Sequence, residues 1–120
     1  MISDAELMLT AAGLRLVAAG VAWDAVKVQR HRGVRAIELL EEPGAVAVDP
    51  AHPEPLLYFF VPAGSAAQWD VLDTQALGSN SYVVLPPDHA EAPPGPYWLI
   101  PLQHGLTAAA ALRQALEAAQ

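Results

Sequence analysis

Apolar residues along this chain recur with two different periods, and proline and glycine mark where one gives way to the other. Near the start, Ser3-Asp4-Ala5-Glu6 has the spacing of a capping box, with Ser3 as N-cap and Glu6 at N3. Leu7, Ala11, Leu14 and Ala18 then fall on one helical stripe, and Gly20 stands where a C′ glycine ends a helix. This predicts a helix over residues 4–19. Residues 21–28 turn extended, closing on the alternation Val26-Lys27-Val28. Helical spacing returns over residues 33–42, with Val34, Ile37 and Leu40 or Leu39 toward the core, until Pro43-Gly44 stops it.

The remainder reads mostly as strands. Ala45-Val46-Ala47-Val48 is short and β-rich, and three prolines in residues 49–55 force a loop. Leu56-Leu57-Tyr58-Phe59-Phe60-Val61 is the strongest strand, with Phe59 or its neighbours buried and a hairpin to the preceding strand. Ser65 is placed to cap one helical turn reaching Trp69, and residues 71–77 read as extended. A turn at Gly78-Ser79-Asn80-Ser81 precedes the strand Tyr82-Val83-Val84-Leu85. A stiff loop with five prolines spans residues 86–96, before the last strand, Tyr97-Trp98-Leu99-Ile100. Thr107 is the expected N-cap of a closing helix over 107–119 that buries Leu112 and Leu116. The expected class is α+β: one domain, with helices packed on one mainly antiparallel sheet of about five to six strands.

Composition narrows the function classes. With 53% hydrophobic residues, the 120-residue chain is no disordered tail, yet no apolar run nears the ~18–20 residues of a membrane span. The acidic start is unlike a signal peptide, and cysteine is absent, which removes disulfides and thiolate-bound zinc. A cytoplasmic protein is expected. Lys27 and Asn80 are the sole lysine and asparagine beside abundant Ala, Pro, Gly, Val and Leu, the bias of GC-rich bacterial coding sequence. The net charge of −7 argues against general phosphate binding, which needs cations to displace counterions. Four of the six basic residues, Lys27, Arg30, Arg32 and Arg35, nevertheless lie close together. They are the candidate nucleic-acid contact, set against a solvated loop and helix start.

No complete catalytic site is present. His31, His52, His89 and His104 lack ligand spacing, and His89 with Glu91 supplies only two ligands. Ser65, Ser79 and Ser81 sit in turns rather than a nucleophile elbow, and no phosphate-binding glycine motif occurs. The aromatics Trp23, Tyr58, Phe59, Phe60, Trp69, Tyr82, Tyr97 and Trp98 are of the type that stacks bases. Without interleaved Lys or Arg they read as core.

Residues 26–101 resemble the N-terminal primase–polymerase (prim-pol) domain of bacterial and plasmid replication proteins. The resemblance runs through Val26-Lys27-Val28-Gln29, Gly33, the helix with Ala36, Leu39 and Leu40, and Ala45-Val46-Ala47-Val48. It continues through Leu57-Tyr58-Phe59, Val61-Pro62, Tyr82-Val83-Val84-Leu85-Pro86-Pro87 and Tyr97-Trp98. It implies a nucleotidyl-transfer site built on paired carboxylates and two divalent cations. Here the acidic pair's slot is Val26-Lys27-Val28-Gln29, with Asp24 alone nearby. The slot of a Gly-Gly-x-His turn is Pro53-Glu54-Pro55-Leu56, and Asp88 replaces a serine after the proline pair. The resemblance therefore implies a degenerate member without metal, cofactor or catalysis. The expected role is a non-catalytic interaction or regulatory module, binding a protein partner or a second copy of itself in preference to nucleic acid. The rival readings are a weak nucleic-acid or nucleotide binder using Lys27 to Arg35, and an unfamiliar enzyme using Asp88, His89 and Glu91.

Overall fold

The computed structural model describes residues 7–9 and 13–120. Its elements are β1 (Leu7–Leu9), β2 (Arg15–Ala18), β3 (Asp24–Gln29), α1 (Arg30–Leu39), β4 (Val46–Asp49), β5 (Leu56–Val61), β6 (Gln75–Leu77), β7 (Tyr82–Leu85), β8 (Tyr97–Ile100) and α2 (Ala109–Ala118). Short 3-10 turns occupy Ser65–Gln68 and Leu102–His104. A five-stranded antiparallel sheet, ordered β6-β3-β5-β4-β8, carries both helices on one face. A three-stranded antiparallel sheet, β1-β2-β7, covers the other. The α+β class with helices on an antiparallel sheet is thus the fold observed, and the second sheet is an addition to it.

Sandwiching explains the apolar run of β5. Alternate side chains point to opposite faces of a strand. Leu57, Phe59 and Val61 meet Leu112 and Leu116 of α2 in the helix-side core, while Phe60 packs with Ala25, Ala47, Val83 and Trp98 between the sheets. A strand covered on both faces loses the apolar–polar alternation of a half-buried one. Phe59 and Phe60 are 0% and 1% exposed. The expected hairpin forms, with Val46 opposite Phe59 and Val48 opposite Leu57. Small residues at positions 25, 45 and 47 leave room for Phe60, which Trp23 meets edge-on at 4.9 Å and Trp98 at 5.9 Å.

Where a helix over residues 4–19 is expected, the described residues form strands instead. Leu7–Leu9 and Arg15–Ala18 are strands, paired to each other, and β2 also pairs with β7, with Val17 opposite Val83. The capping box at residues 3–6 lies outside the described residues. A Leu- and Ala-rich stretch satisfies a helical stripe, but an isolated helix of this length is marginal, whereas pairing with β7 supplies a ladder and apolar partners. Gly20, at φ +90°, is a turn glycine whose N–H donates to the Trp23 carbonyl at 2.8 Å.

Other boundaries shift for local reasons. α1 begins and ends three residues before the expected span, which rotates Val34 and Leu39 to the surface and buries Arg32, Gly33 and Ala36. Gly33 lets the helix lie close to the sheet, since a Cβ there would stand 2.6 Å from Leu57 Cδ1. Gly64, not Ser65, is the N-cap of the first 3-10 turn, and Ser65 Oγ donates to the Pro62 carbonyl at 2.6 Å. Of residues 71–77, only Gln75–Leu77 becomes strand. Thr107 does not cap α2, whose N-cap is Ala108 with no side-chain bond. Instead Thr107 Oγ1 accepts the Gly44 N–H at 2.9 Å, and its own N–H donates to the Phe60 carbonyl at 2.8 Å. The hydroxyl therefore ties the segment before α2 to the sheet.

Candidate functional site

The four cations singled out in the sequence do not form one patch. Lys27 is half-buried on β3, on the face opposite Val26 and Val28, beside Tyr58 and Gln75 of the neighbouring strands. Arg30 and Arg35 are exposed on α1. Arg32 is 7% exposed and committed to the fold: Nε and Nη2 donate to the Leu116 carbonyl at 3.1 and 2.9 Å, and Nη1 donates to Leu72 at 2.6 Å. Of the aromatics, Phe59, Phe60 and Trp98 are core, and Trp69 lies beneath Arg113 at 5.5 Å. Tyr82 is exposed on β7.

Residues in the slots of the prim-pol resemblance also have internal partners. Asp24, 1% exposed, accepts the N–H groups of Gly64 and Ala66 through Oδ2 at 2.9 and 2.8 Å, fixing the turn after β5. Glu54 Oε1 lies 2.6 Å from His31 Nδ1 and accepts the His31 backbone N–H. The hydrogen bond from the His31 side chain, then that from its backbone, holds the Glu54 carboxyl below the usual carboxylate range. Asp88 pairs with Arg15 at 2.8 Å. His89 and Glu91 stay on an exposed loop, and no three His, Asp or Glu side chains converge among the described residues. Between the sheets, a recess of about 120 Å³ touches Asp49, Tyr58, Tyr82 and Pro96. Burial, and then the Asp49 carboxylate, push the Tyr58 phenol up. The recess falls well short of the ~300–1,000 Å³ of small-molecule sites.

A different region stands out. Where α1 ends, beside α2 and the outer strand β8, a groove of about 1270 Å³ opens to solvent. Leu39 and Leu40 come from the end of α1, Leu99 and Ile100 from β8, and Leu106 from the segment before α2. Ala111, Ala115 and Ala118 of α2 also line it. Leu39, Leu99 and Leu106 are 56%, 43% and 43% exposed, and Leu102, between the lining residues Pro101 and His104, is 40% exposed. Single exposed leucines are ordinary on a protein surface, whereas a contiguous group marks an interaction site. Glu41, Glu42 and His104 are the titratable groups at its margin, and neither Lys nor Arg lines it. The sequence reading missed this groove: Ile37 and Leu40 do pack against the core as expected, but Leu39 is exposed. The available signal was Leu102 and Leu106 in a segment bounded by Pro101 and Thr107, with no strand or helix to absorb them.

The adjacent sheet edge is partly closed. The Trp98 N–H of β8 donates to the Ala90 carbonyl of the proline-rich loop at 2.9 Å, so that donor is not open to an added strand. Among the described residues no helix is long and apolar enough to cross a membrane. No protein-family model, curated protein or solved structure matches the chain.

Proposed function

We propose that this chain is a non-catalytic interaction module on a degenerate prim-pol-like scaffold, docking a partner polypeptide in the groove between α1, α2 and β8. The observation that carries the reading is the exposed cluster of Leu39, Leu99 and Leu106 around that groove. The partner is placed ahead of a second copy because two chains of net charge −7 repel one another. Support for the non-catalytic part comes from Asp24, Glu54 and Asp88, each engaged in an internal bond rather than aimed at a common point. Arg32 is likewise bound within the fold, which leaves Lys27, Arg30 and Arg35 for the nucleic-acid alternative. With no cysteine in the chain, the reading places the module in the cytoplasm.

Selection from a displayed random-peptide library tests it, beside fluorescence anisotropy with short single- and double-stranded oligonucleotides at ~0.15 M salt. Peptides that compete for one site and are lost on the double substitution Leu99→Asn/Leu106→Asn are expected, with no sub-micromolar oligonucleotide affinity. Three phosphate contacts would give a log–log salt slope of only about −2.7 on duplex DNA. Tight oligonucleotide binding that disappears in Arg30→Gln/Arg35→Gln, without any selected peptide, would put the nucleic-acid reading first.

A further inference from the structure

Resting on the interaction reading, we infer that the groove takes an amphipathic α-helix of about four turns, apolar on one face and basic along its margins. Shape is the first reason. Three of the four α2 residues at the groove are alanines, with Gln114 the fourth, while leucines of α1, β8 and the 105–107 segment also line it. Helices pack at interaxial distances of ~8–10 Å, and small side chains at the contact favour the near end of that range. A helix of about 14 residues is ~21 Å long at 1.5 Å per residue, within the 38 × 30 × 25 Å extents of the fold. An extended peptide would instead need the open edge of β8, where the Trp98 donor is already held by Ala90.

Charge is the second reason. Glu41 and Glu42 are exposed at the margin, with His104 the other titratable lining residue, and no Lys or Arg opposes them. A partner with lysine or arginine beside its apolar stripe gains attraction there, and the net charge of −7 draws it in from a distance. A second copy fits poorly. Arg15 and Arg113 are in ion pairs and Arg32 is buried, so only Lys27, Arg30 and Arg35 are left to meet the two carboxylates, against a net charge of −7 on each chain. A small molecule fits poorly as well, because the groove is open and larger than the ~300–1,000 Å³ of such sites.

The test uses three labelled peptides of about 14 residues, followed by anisotropy. One carries leucine at i, i+3, i+4 and i+7 with lysine elsewhere, one replaces lysine by glutamate, and one has two central prolines in the lysine form. The lysine helix is expected to bind about tenfold more tightly than either alternative, the gain of two exposed ion pairs of ~0.2–1 kcal/mol each supplemented by the helical fit. Leu99→Asn/Leu106→Asn should remove binding while circular dichroism shows the fold intact. Ala111→Trp, at an exposed α2 position, should block the groove without altering charge. Glu41→Lys/Glu42→Lys should bring the lysine and glutamate peptides to equal affinity or reverse them.

Equal binding of the proline peptide, or binding indifferent to both groove variants, overturns the helix inference. A dimer in sedimentation that Ala111→Trp converts to monomer would show a second copy in the groove. That result overturns this inference while leaving the interaction reading in place. Oligonucleotide binding with no peptide binding would sink that reading itself.

Discussion

Arg32 brings a guanidinium to a buried position, and its bonds to the Leu116 and Leu72 carbonyls offset the desolvation. Leu116 lies in the last turn of α2, where carbonyls carry partial negative charge, so the cation suits the site. Arg32→Met should therefore lower stability in urea unfolding by about 2–3 kcal/mol, the range for hydrogen bonds to a charged donor. It should leave oligonucleotide anisotropy unchanged, whereas a phosphate-contacting arginine would show the opposite pair of results. The sequence alone offers no means to separate Arg32 from Arg30 and Arg35, because one turn of helix phase decides which of them is covered. Glu54 is a second residue whose role lies in its partner. Its folded carboxyl titrates below the usual range because His31 bonds the anion. Such a group stabilises the fold above its unfolded pKa of about 4.3 and loses that contribution as pH falls through the lower folded value. Glu54→Gln should melt below wild type near neutrality, by a small margin given its exposure, and the gap should narrow as pH falls below about 4.3. A gap that persists into acid would show that the difference is not ionic.

At the scale of elements, β5 is the third of five strands and covered on both faces. Phe59→Ala and Phe60→Ala should each cost about 3–5 kcal/mol, the range for emptying a buried phenylalanine site. If both melted like wild type, the two-sided burial of β5 would be wrong. Gly44 marks where the chain leaves α1 for β4. A Cβ there would fall 2.5 Å from the Gly105 carbonyl oxygen and 2.8 Å from Thr107 N, backbone that cannot step aside. Gly44→Ala should destabilise by at least the ~1–3 kcal/mol of an overpacked site, and amides of residues 105–107 should lose hydrogen-exchange protection ahead of β5. The central strands were legible because prolines and glycines bracket each of them and β-branched or aromatic residues fill them. Residues 15–18 were not, since their partner β7 lies more than sixty positions along the chain. That pairing, with the one to β1, chooses strand over helix for a Leu- and Ala-rich segment.

For the whole molecule, the layers of helix, sheet and sheet bring no three His, Asp or Glu side chains together among the described residues, and millimolar Mg²⁺ or Mn²⁺ is expected not to raise the melting temperature. Binding at a hundredfold excess over the dissociation constant would add ~2.7 kcal/mol, a shift of several degrees. Such a rise, lost in Asp24→Asn, would restore a metal site and reopen the catalytic question. The core of the central sheet was readable from the chain, whereas the groove was not. Whether Leu39 or Leu99 is covered depends on how far α1 and α2 diverge from β8, a relation between distant elements that no local spacing encodes. The Arg32 clamp has a further meaning in time. It joins positions 84 residues apart, and chains emerge from the ribosome N-terminus first at ~5–20 residues per second. Leu57 and Phe59 must therefore wait several seconds for α2 to be made, their helix-facing side covered only by α1 while Arg32 lacks the Leu116 carbonyl. Completion of this fold therefore waits on the synthesis of α2, and the nascent chain is most exposed to wrong partners until that helix appears.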